Sequence, residues 1–453
     1  MTGQLTNWAQ NVTFRSGTLH QPASLDELRR LVAASRHVRA LGTGHSFNDL
    51  VDSPGDLVSV RALPSEIDIE PGAAAAAGAT VTASAGLRYG ELANALHARG
   101  YALRNLASLP HISLAGAVST GTHGSGVTNG TLASAVVAVE MVGPDGDLVR
   151  ISREGDPGTF PGTVVALGAL GIVTRLTLEL VDTFDVSQQV YEDLPGEQLR
   201  THLDDILGSA YSVSLFTSWQ RDSIDQVWLK YRAAPAPAAT SPPVTGSAGA
   251  GHTAGPDPDR RRPQPSLERF YGARPASSPR HPLPGVPASL CTEQMGVPGP
   301  WHRRLPHFRP GFTPSFGDEL QSEYLVPREH AAQALEAVAA MRSVLAPVLL
   351  VSEIRSVGAD DLWLSPAYRR DCVAVHFTWA NDPEAVRPVL DLLAEKLGTW
   401  AARPHWGKLF SDDAHRVRAG YPRMPDFAAL RRDMDPRGTF GGDFVDRYAP
   451  AAG

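Results

Sequence analysis

The chain has 453 residues, of which 42% are hydrophobic and 20% charged, with a formal net charge of −7. That length exceeds one ordinary hydrophobic core and can enclose a large cofactor. The acidic balance argues against nucleic acid as a partner, and Cys291 and Cys372 are too few for a disulfide framework or a paired zinc site.

Met1 to Arg15 lacks the apolar stretch of a secretory leader, and nowhere do about 18 apolar residues run together. No membrane association is therefore expected, and a cytoplasmic location is. In chain order, Ser24 and Glu27 form a capping box that predicts a helix over 24–35. Val38 to Leu41 reads as a short strand that runs into Gly42-Thr43-Gly44-His45-Ser46-Phe47-Asn48. Thr80 to Ala85 alternates as a strand, and Tyr89 to Arg99 has helical spacing before Gly100. Val136 to Val142 and Leu148 to Ile151 flank a turn-rich Gly-Pro-Asp-Gly-Asp and predict a hairpin. Ile172 to Leu180 has the period of a half-exposed strand.

From 234 to 288 the chain is dominated by Pro, Ala, Gly and Ser, so about 235–275 is expected to be a flexible insertion without catalytic content. Beyond Cys291 the pattern predicts one long helix near Glu329 to Val344 and strands at Val348 to Val357 and Cys372 to Trp379. A further helix is expected after Asp382, its cap, with Pro383 in the first position. The dinucleotide fingerprint G-x-G-x-x-G is missing, which disfavours a nicotinamide-type doubly wound domain.

Two glycine-bearing segments carry the chemistry. In Gly42 to Asn48 both glycines let backbone amides approach a phosphate or a ring. In Asn105 to Gly126, NLASLPHISLAGAVSTGTHGSG, small residues and hydroxyls concentrate where an extended charged ligand can be cradled. Further on, Glu353 and Arg355 stand two apart on a strand and share a face, as do His376 and Thr378. Together the pairs would make a hydrogen-bonding floor suited to a polyol. On spacing alone, an exposed salt bridge is the simpler reading of Glu353 and Arg355, a solvated side chain that of Lys408, and a loop cap that of His45.

These segments, with GALGIVT (168–174), SEIRSV, VHFTW, HWGKLF and DPRGTF (435–440), resemble the vanillyl-alcohol oxidase superfamily of FAD flavoproteins, and within it the alditol oxidases, with the aldonolactone oxidases as near relatives. The resemblance implies an α+β fold of two domains. Residues 1–182 and the returning segment 400–453 would bind FAD, and 183–399 would form the substrate domain. It further implies that Leu41, Gly42, Thr43, Gly44, His45 and Ser46 contact FAD, with Ser108, Ser113, Gly116, Thr120, Gly121, Thr122 and His123 from the second loop. Ile172 and His405 complete that set, and His45 is expected to carry FAD covalently. Ser108, Glu353, Arg355, His376, Thr378 and Lys408 are expected to bind substrate, with Arg355, Lys408 and Glu353 catalytic and no metal.

The activity implied is oxidation of the terminal hydroxyl of an alditol such as xylitol or sorbitol. Hydride would pass to the flavin and dioxygen would be reduced to hydrogen peroxide. Ala107, small and beside Ser108, would leave oxygen a path. An aldonolactone oxidase or dehydrogenase of the same superfamily is the alternative. The oligomeric state is left open.

Overall fold

A computed structural model describes residues 5–72, 78–233, 269–309 and 319–452. Three small parallel strands, Leu19–His20, Asp56–Val58 and Val38–Ala40, lie at the start. Beside them is an antiparallel sheet ordered Ile67–Glu70, Thr80–Ser84, Ile172–Glu179, Val136–Val142 and Leu148–Ser152. The predicted hairpin is its last pair, joined at Val142↔Leu148. The helix Leu25–Ala34 begins with Ser24 accepting from the Glu27 amide at 3.2 Å. Glu27 reaches one residue further back than a capping box requires, to the Ala23 amide at 2.8 Å.

A second, larger antiparallel sheet is assembled from the middle of the chain. Its central order is Asp185–Pro195, Ser223–Ala233, Ser212–Thr217, Leu349–Val357, Cys372–Ala380 and Glu319–Pro327. Strand alternation gives this sheet two different faces. Ile354, Val375, Phe377 and Trp379 point to one side and share a core with Leu203 of helix Gly196–Leu207, Leu335 of Ala331–Ala340 and Leu393 of Pro383–Gly398. The residues between them point the other way and carry the polar groups. The helix expected over Glu329 to Val344 is interrupted at Met341, which separates Ala331–Ala340 from Arg342–Leu345.

Most of the 235–275 segment, residues 235–268, lies outside the described residues. Its end departs from the expectation of a flexible insertion. Phe270 and Ala273 are buried in the core of the larger sheet, and Arg274–Pro275 pairs with Asp185–Pro195. A Phe and a short edge pairing supply the apolar contact that the Pro/Ala/Gly tract before them lacks.

The C-terminal segment packs back on the first sheet. Tyr421, Phe427, Leu430, Phe444 and Tyr448 share one core with Leu92, Val139 and Leu176. The DPRGTF turn docks against the first strands: the Val38 amide donates to the Thr439 carbonyl at 2.9 Å, and Asp435 accepts from the Thr439 and Phe440 amides at 2.8 Å each. The buried guanidinium of Arg39 ties these pieces together, donating to the carbonyls of Phe440 (2.8 Å), Leu50 (2.6 Å), Leu167 (2.8 Å) and Gly168 (3.2 Å).

Arg39→Met strands four buried carbonyls, and hydrogen bonds from a charged donor contribute about 1.5–3 kcal/mol each before relaxation. Urea unfolding followed by tryptophan fluorescence is expected to show a loss of more than about 3 kcal/mol. A change under about 1 kcal/mol would mean that the return of the C-terminal segment does not depend on Arg39.

Candidate active site

The two glycine-bearing loops meet edge to edge. The Ser113 amide donates to the Thr43 hydroxyl at 3.3 Å, and a Cβ at Gly42 would collide with the Ser113 hydroxyl. Gly44 takes a left-handed φ of 71°, which favours glycine. The first loop is also fastened to the C-terminal HWGKLF segment. The Phe47 amide donates to the Gly407 carbonyl at 2.8 Å, and the Asn48 side-chain amide donates to the carbonyls of Trp406 and Lys408 at 2.8 Å each.

Between these loops and the polar face of the large sheet runs a cavity of about 680 Å³. Leu41 to Ser46, Ser108, Ser113, Gly116, Thr120, Thr122, His123, Glu353, Arg355, His376, Thr378, His405 and Lys408 all line it. Gly121 and Ile172, expected at the cofactor, do not. Gly121 abuts Pro366, and Ile172 is packed with Val38 and Phe440, while its strand neighbours Gly171 and Val173 face the cavity.

The donor set suits a dinucleotide such as FAD. Among the described residues no protein acceptor meets the backbone amides of residues 42 to 46. A run of free amides on a loop with a left-handed glycine forms a concave anion site fit for a pyrophosphate. His45 lies between Trp8, stacked at 4.6 Å, and His111, whose Nε2 is 2.6 Å from the Nε2 of His45. Burial first, then the neighbouring His111 and Arg88, pushes His45 down to about 3, so its ring is neutral near pH 7. Its Nδ1 has no hydrogen-bond partner among the described residues. No group of His, Cys, Asp or Glu among those residues is placed to hold a metal ion.

At the other end of the cavity the register sets Glu353 opposite His376, and His376 opposite Glu323. Glu323 is the centre of the site and is 1% exposed. Its Oε1 accepts from Arg355 Nη2 at 2.8 Å, its Oε2 from Lys408 Nζ at 2.7 Å, and His123 Nε2 stands 3.3 Å away. Burial alone would raise its pKa, but Lys408, His123 and Arg355 hold it well below the ordinary carboxylate value. Glu353, likewise buried, is held low by Arg355 and by a 2.7 Å hydrogen bond from His307. Arg355 also donates to Ser108 at 3.3 Å, which joins the floor to the second loop. Lys408 reaches His376 Nδ1 at 2.8 Å, and His376 Nε2 reaches the Thr378 hydroxyl at 3.1 Å. The exposed salt bridge is thereby replaced by an enclosed network of two carboxylates and two cations.

Three residues of the site escape the sequence reading. Glu323 had a signal: Glu319, Gln321 and Glu323 alternate on one strand as Glu353 and Arg355 do, but Ser322 between them blurs the period. His111 sits inside the second glycine-bearing segment without a spacing of its own. His307 lies in an irregular segment where periodicity carries no information.

The chain is similar to known oxidases. The D-arabinono-1,4-lactone oxidase family matches residues 318–448, and an FAD binding domain family matches 18–152. The chain is 48% identical to an alditol oxidase of Streptomyces sp. (strain IKD472 / FERM P-14339), covering 98% of this chain and 99% of that one. It is 26% identical to an L-gulono-1,4-lactone dehydrogenase of Mycobacterium tuberculosis, covering 98% of each. The fold is similar to cholesterol oxidase from B. sterolicum, with a TM-score of 0.72 at 15% identity over 99% of this chain and 96% of that one. That likeness concerns fold alone, the two-part α+β flavoprotein fold of the vanillyl-alcohol oxidase type expected from the sequence. No helix among the described residues is long and apolar enough to cross a membrane.

Burial pushes His376 down to about 3 and His307 to about 4, and His405 well below its ordinary value; nearby Lys408 and Lys230 add to the effect. Unfolded, these rings take a proton below about pH 6.5. Between the two values the unfolded chain binds more protons, so this contribution to stability is complete above about pH 6.5 and is lost as pH falls toward 4. The thermal midpoint is expected to drop steeply between pH 6.5 and 4.5, and a flat profile there would contradict neutral buried rings.

Proposed function

The chain belongs to the alditol oxidase family of FAD-binding oxidases, and on that premise we propose that it oxidises the terminal hydroxyl of an alditol such as xylitol or sorbitol to the aldose, with dioxygen as electron acceptor and hydrogen peroxide as product. The observation that carries this reading is the pairing of Arg355 and Lys408 around Glu323 at the end of a cavity whose other end is a run of free amides.

Leu41 to Ser46 and the Ser113 to His123 stretch would hold FAD, with His405 beside it. Bound there, FAD supplies hydride acceptance and passes the electrons on to dioxygen. The neutral imidazole of His45 supports covalent attachment: with Nε2 against His111, Nδ1 is left as the nucleophile.

An alcohol that gives up hydride also loses its hydroxyl proton, so negative charge grows on oxygen. An ammonium has three donors, and Lys408 uses two of them, on Glu323 and His376. The third is free for the reacting oxygen. Arg355 stands beside it as a permanent charge, its pKa raised by Glu353 and Glu323 in spite of burial. Glu353, Ser108, His376 and Thr378 then meet the remaining hydroxyls. The enclosed network strengthens these interactions by excluding water. The polar floor favours an open-chain polyol over a cyclic lactone, because its acceptors and donors follow one another along two neighbouring strands.

Two outcomes are expected. Denatured wild-type protein should retain flavin fluorescence on a gel, and His45→Ala should not; a dark wild-type band with free FAD in the supernatant would rule out the covalent bond. Lys408→Met should slow anaerobic flavin reduction by xylitol or sorbitol by about 100- to 1000-fold, the usual effect of removing one preorganised electrostatic contact. A fully flavinylated variant reducing at the wild-type rate would remove Lys408 from the reaction, and wild-type enzyme giving peroxide with lactones but not alditols would transfer the assignment to the lactone oxidases.

A further inference from the structure

A second buried lysine is left unused by this scheme. Lys230, on the strand Ser223–Ala233, is 1% exposed and does not line the cavity. Its ammonium donates to the carbonyl of Leu305, to that of Pro306 at 3.2 Å, and to His307 Nδ1 at 3.2 Å. All three of its donors are thereby occupied. A buried ammonium needs such partners, but two carbonyls and a ring nitrogen are neutral. The nearest opposite charge is that of Glu353, one residue further along.

The contact has a consequence for His307. A neutral imidazole has one donor and one acceptor nitrogen, and the partner of one decides the state of the other. Facing an ammonium, Nδ1 has to accept. The proton therefore sits on Nε2, which donates to Glu353 Oε1 at 2.7 Å. With Oε1 occupied in this way, Oε2 is the oxygen left to accept from a ligand in the cavity.

We infer that Lys230 is a positioning residue for the alcohol oxidation: its ammonium locks His307 in the Nε2–H tautomer, and His307 in turn holds Glu353 ionised and aimed at a substrate hydroxyl. This rests on the assignment of Glu353 to substrate binding made above. Lys230 touches neither substrate nor FAD and acts through two intervening groups.

The arrangement is sensitive to pH. Burial lowers Lys230 to about 7, although Glu353 opposes the shift. The other groups facing it keep their charge state near neutrality. His307 is neutral above about 4, and Cys291 is pushed up to about 12 by burial. Glu353 stays ionised and Arg355 stays cationic. Once Lys230 loses its proton, its nitrogen can accept as well as donate. His307 is then free to carry its proton on Nδ1, and Glu353 loses its donor.

The direct test is nitrogen-15 NMR of the holoenzyme with labelled histidine, the His307 signals being assigned with His307→Gln. At pH 6 wild-type His307 is expected to show a protonated Nε2 and a bare Nδ1. This signature should give way to the other tautomer or a mixture as pH rises to 9, and in Lys230→Met it should be mixed at pH 6 already. In kinetics with xylitol, Lys230→Met should raise KM about 10-fold, the effect of one lost hydrogen bond to a charged group, with a smaller change in kcat. It should also abolish a limb near pH 7 in kcat/KM.

A merely structural lysine would alter stability but leave the tautomer and the pH limb in place. An unchanged His307 signature across pH 6 to 9 in the wild type would overturn the inference without any variant having to fold. Failure of the wild type to oxidise alditols would instead defeat the functional assignment, while the NMR result would still decide what Lys230 does to His307.

Discussion

The carboxylate of Glu323 is the point on which the two halves of the molecule agree. It comes from the large sheet, and it is gripped by Arg355 from the same face of that sheet, by Lys408 from the C-terminal segment and by His123 from the second glycine-bearing loop. A buried ion pair seldom stabilises a fold on balance, because stripping water from the charges costs about as much as their attraction returns. The network is better understood as a device for keeping two cations in a dry site before any substrate arrives. Without Glu323 the two cations would repel each other and draw in water, and Lys408 could give up its proton; with Glu323 between them they remain charged and in place.

This constraint explains why motifs so far apart in the chain belong to one site. HWGKLF supplies Lys408 and, through the carbonyls of Trp406, Gly407 and Lys408, the anchors of the Gly42 to Asn48 loop. The distance between cofactor loop and lysine is therefore set within a few residues of covalent chain. DPRGTF touches no part of the cavity. Its work is done through Asp435 and Arg39, which close the C-terminal segment over the first strands.

How far the sequence could be read follows from the same physics. Strand alternation made the Glu353/Arg355 and His376/Thr378 pairs legible, because a period of two puts both members on one face whatever that face meets. It could not say whether the face met solvent or a cavity, and there the resemblance to known flavoproteins decided what spacing had left open. Ile172 entered the cofactor set through the resemblance and not through alternation. Counting along its strand turns its side chain into the core and leaves the cavity to Gly171 and Val173. Glu323 was missed because a serine broke its alternation. His111, His307 and Lys230 were missed because their partners are distant in the chain, by 66, 46 and 77 residues, and no local pattern encodes such contacts. The long helix near Glu329 failed at Met341 for a related reason, since a break of one residue leaves the apolar spacing on either side intact.

The division of labour between Arg355 and Lys408 follows from their shapes. A guanidinium is planar and offers its donors in fixed directions. Arg355 spends them on Glu323 and Ser108, so it ties the large sheet to the second loop. An ammonium rotates about its own bond and can turn a free hydrogen toward an oxygen whose charge is growing. Its buried surroundings lower the pKa of Lys408 despite the pull of Glu323, which makes its ammonium a stronger hydrogen-bond donor. A site with two arginines would hold the substrate but could not adapt to it, and one with two lysines would adapt but place it poorly. One of each, sharing a single carboxylate, sets a donor of fixed direction beside one that can turn.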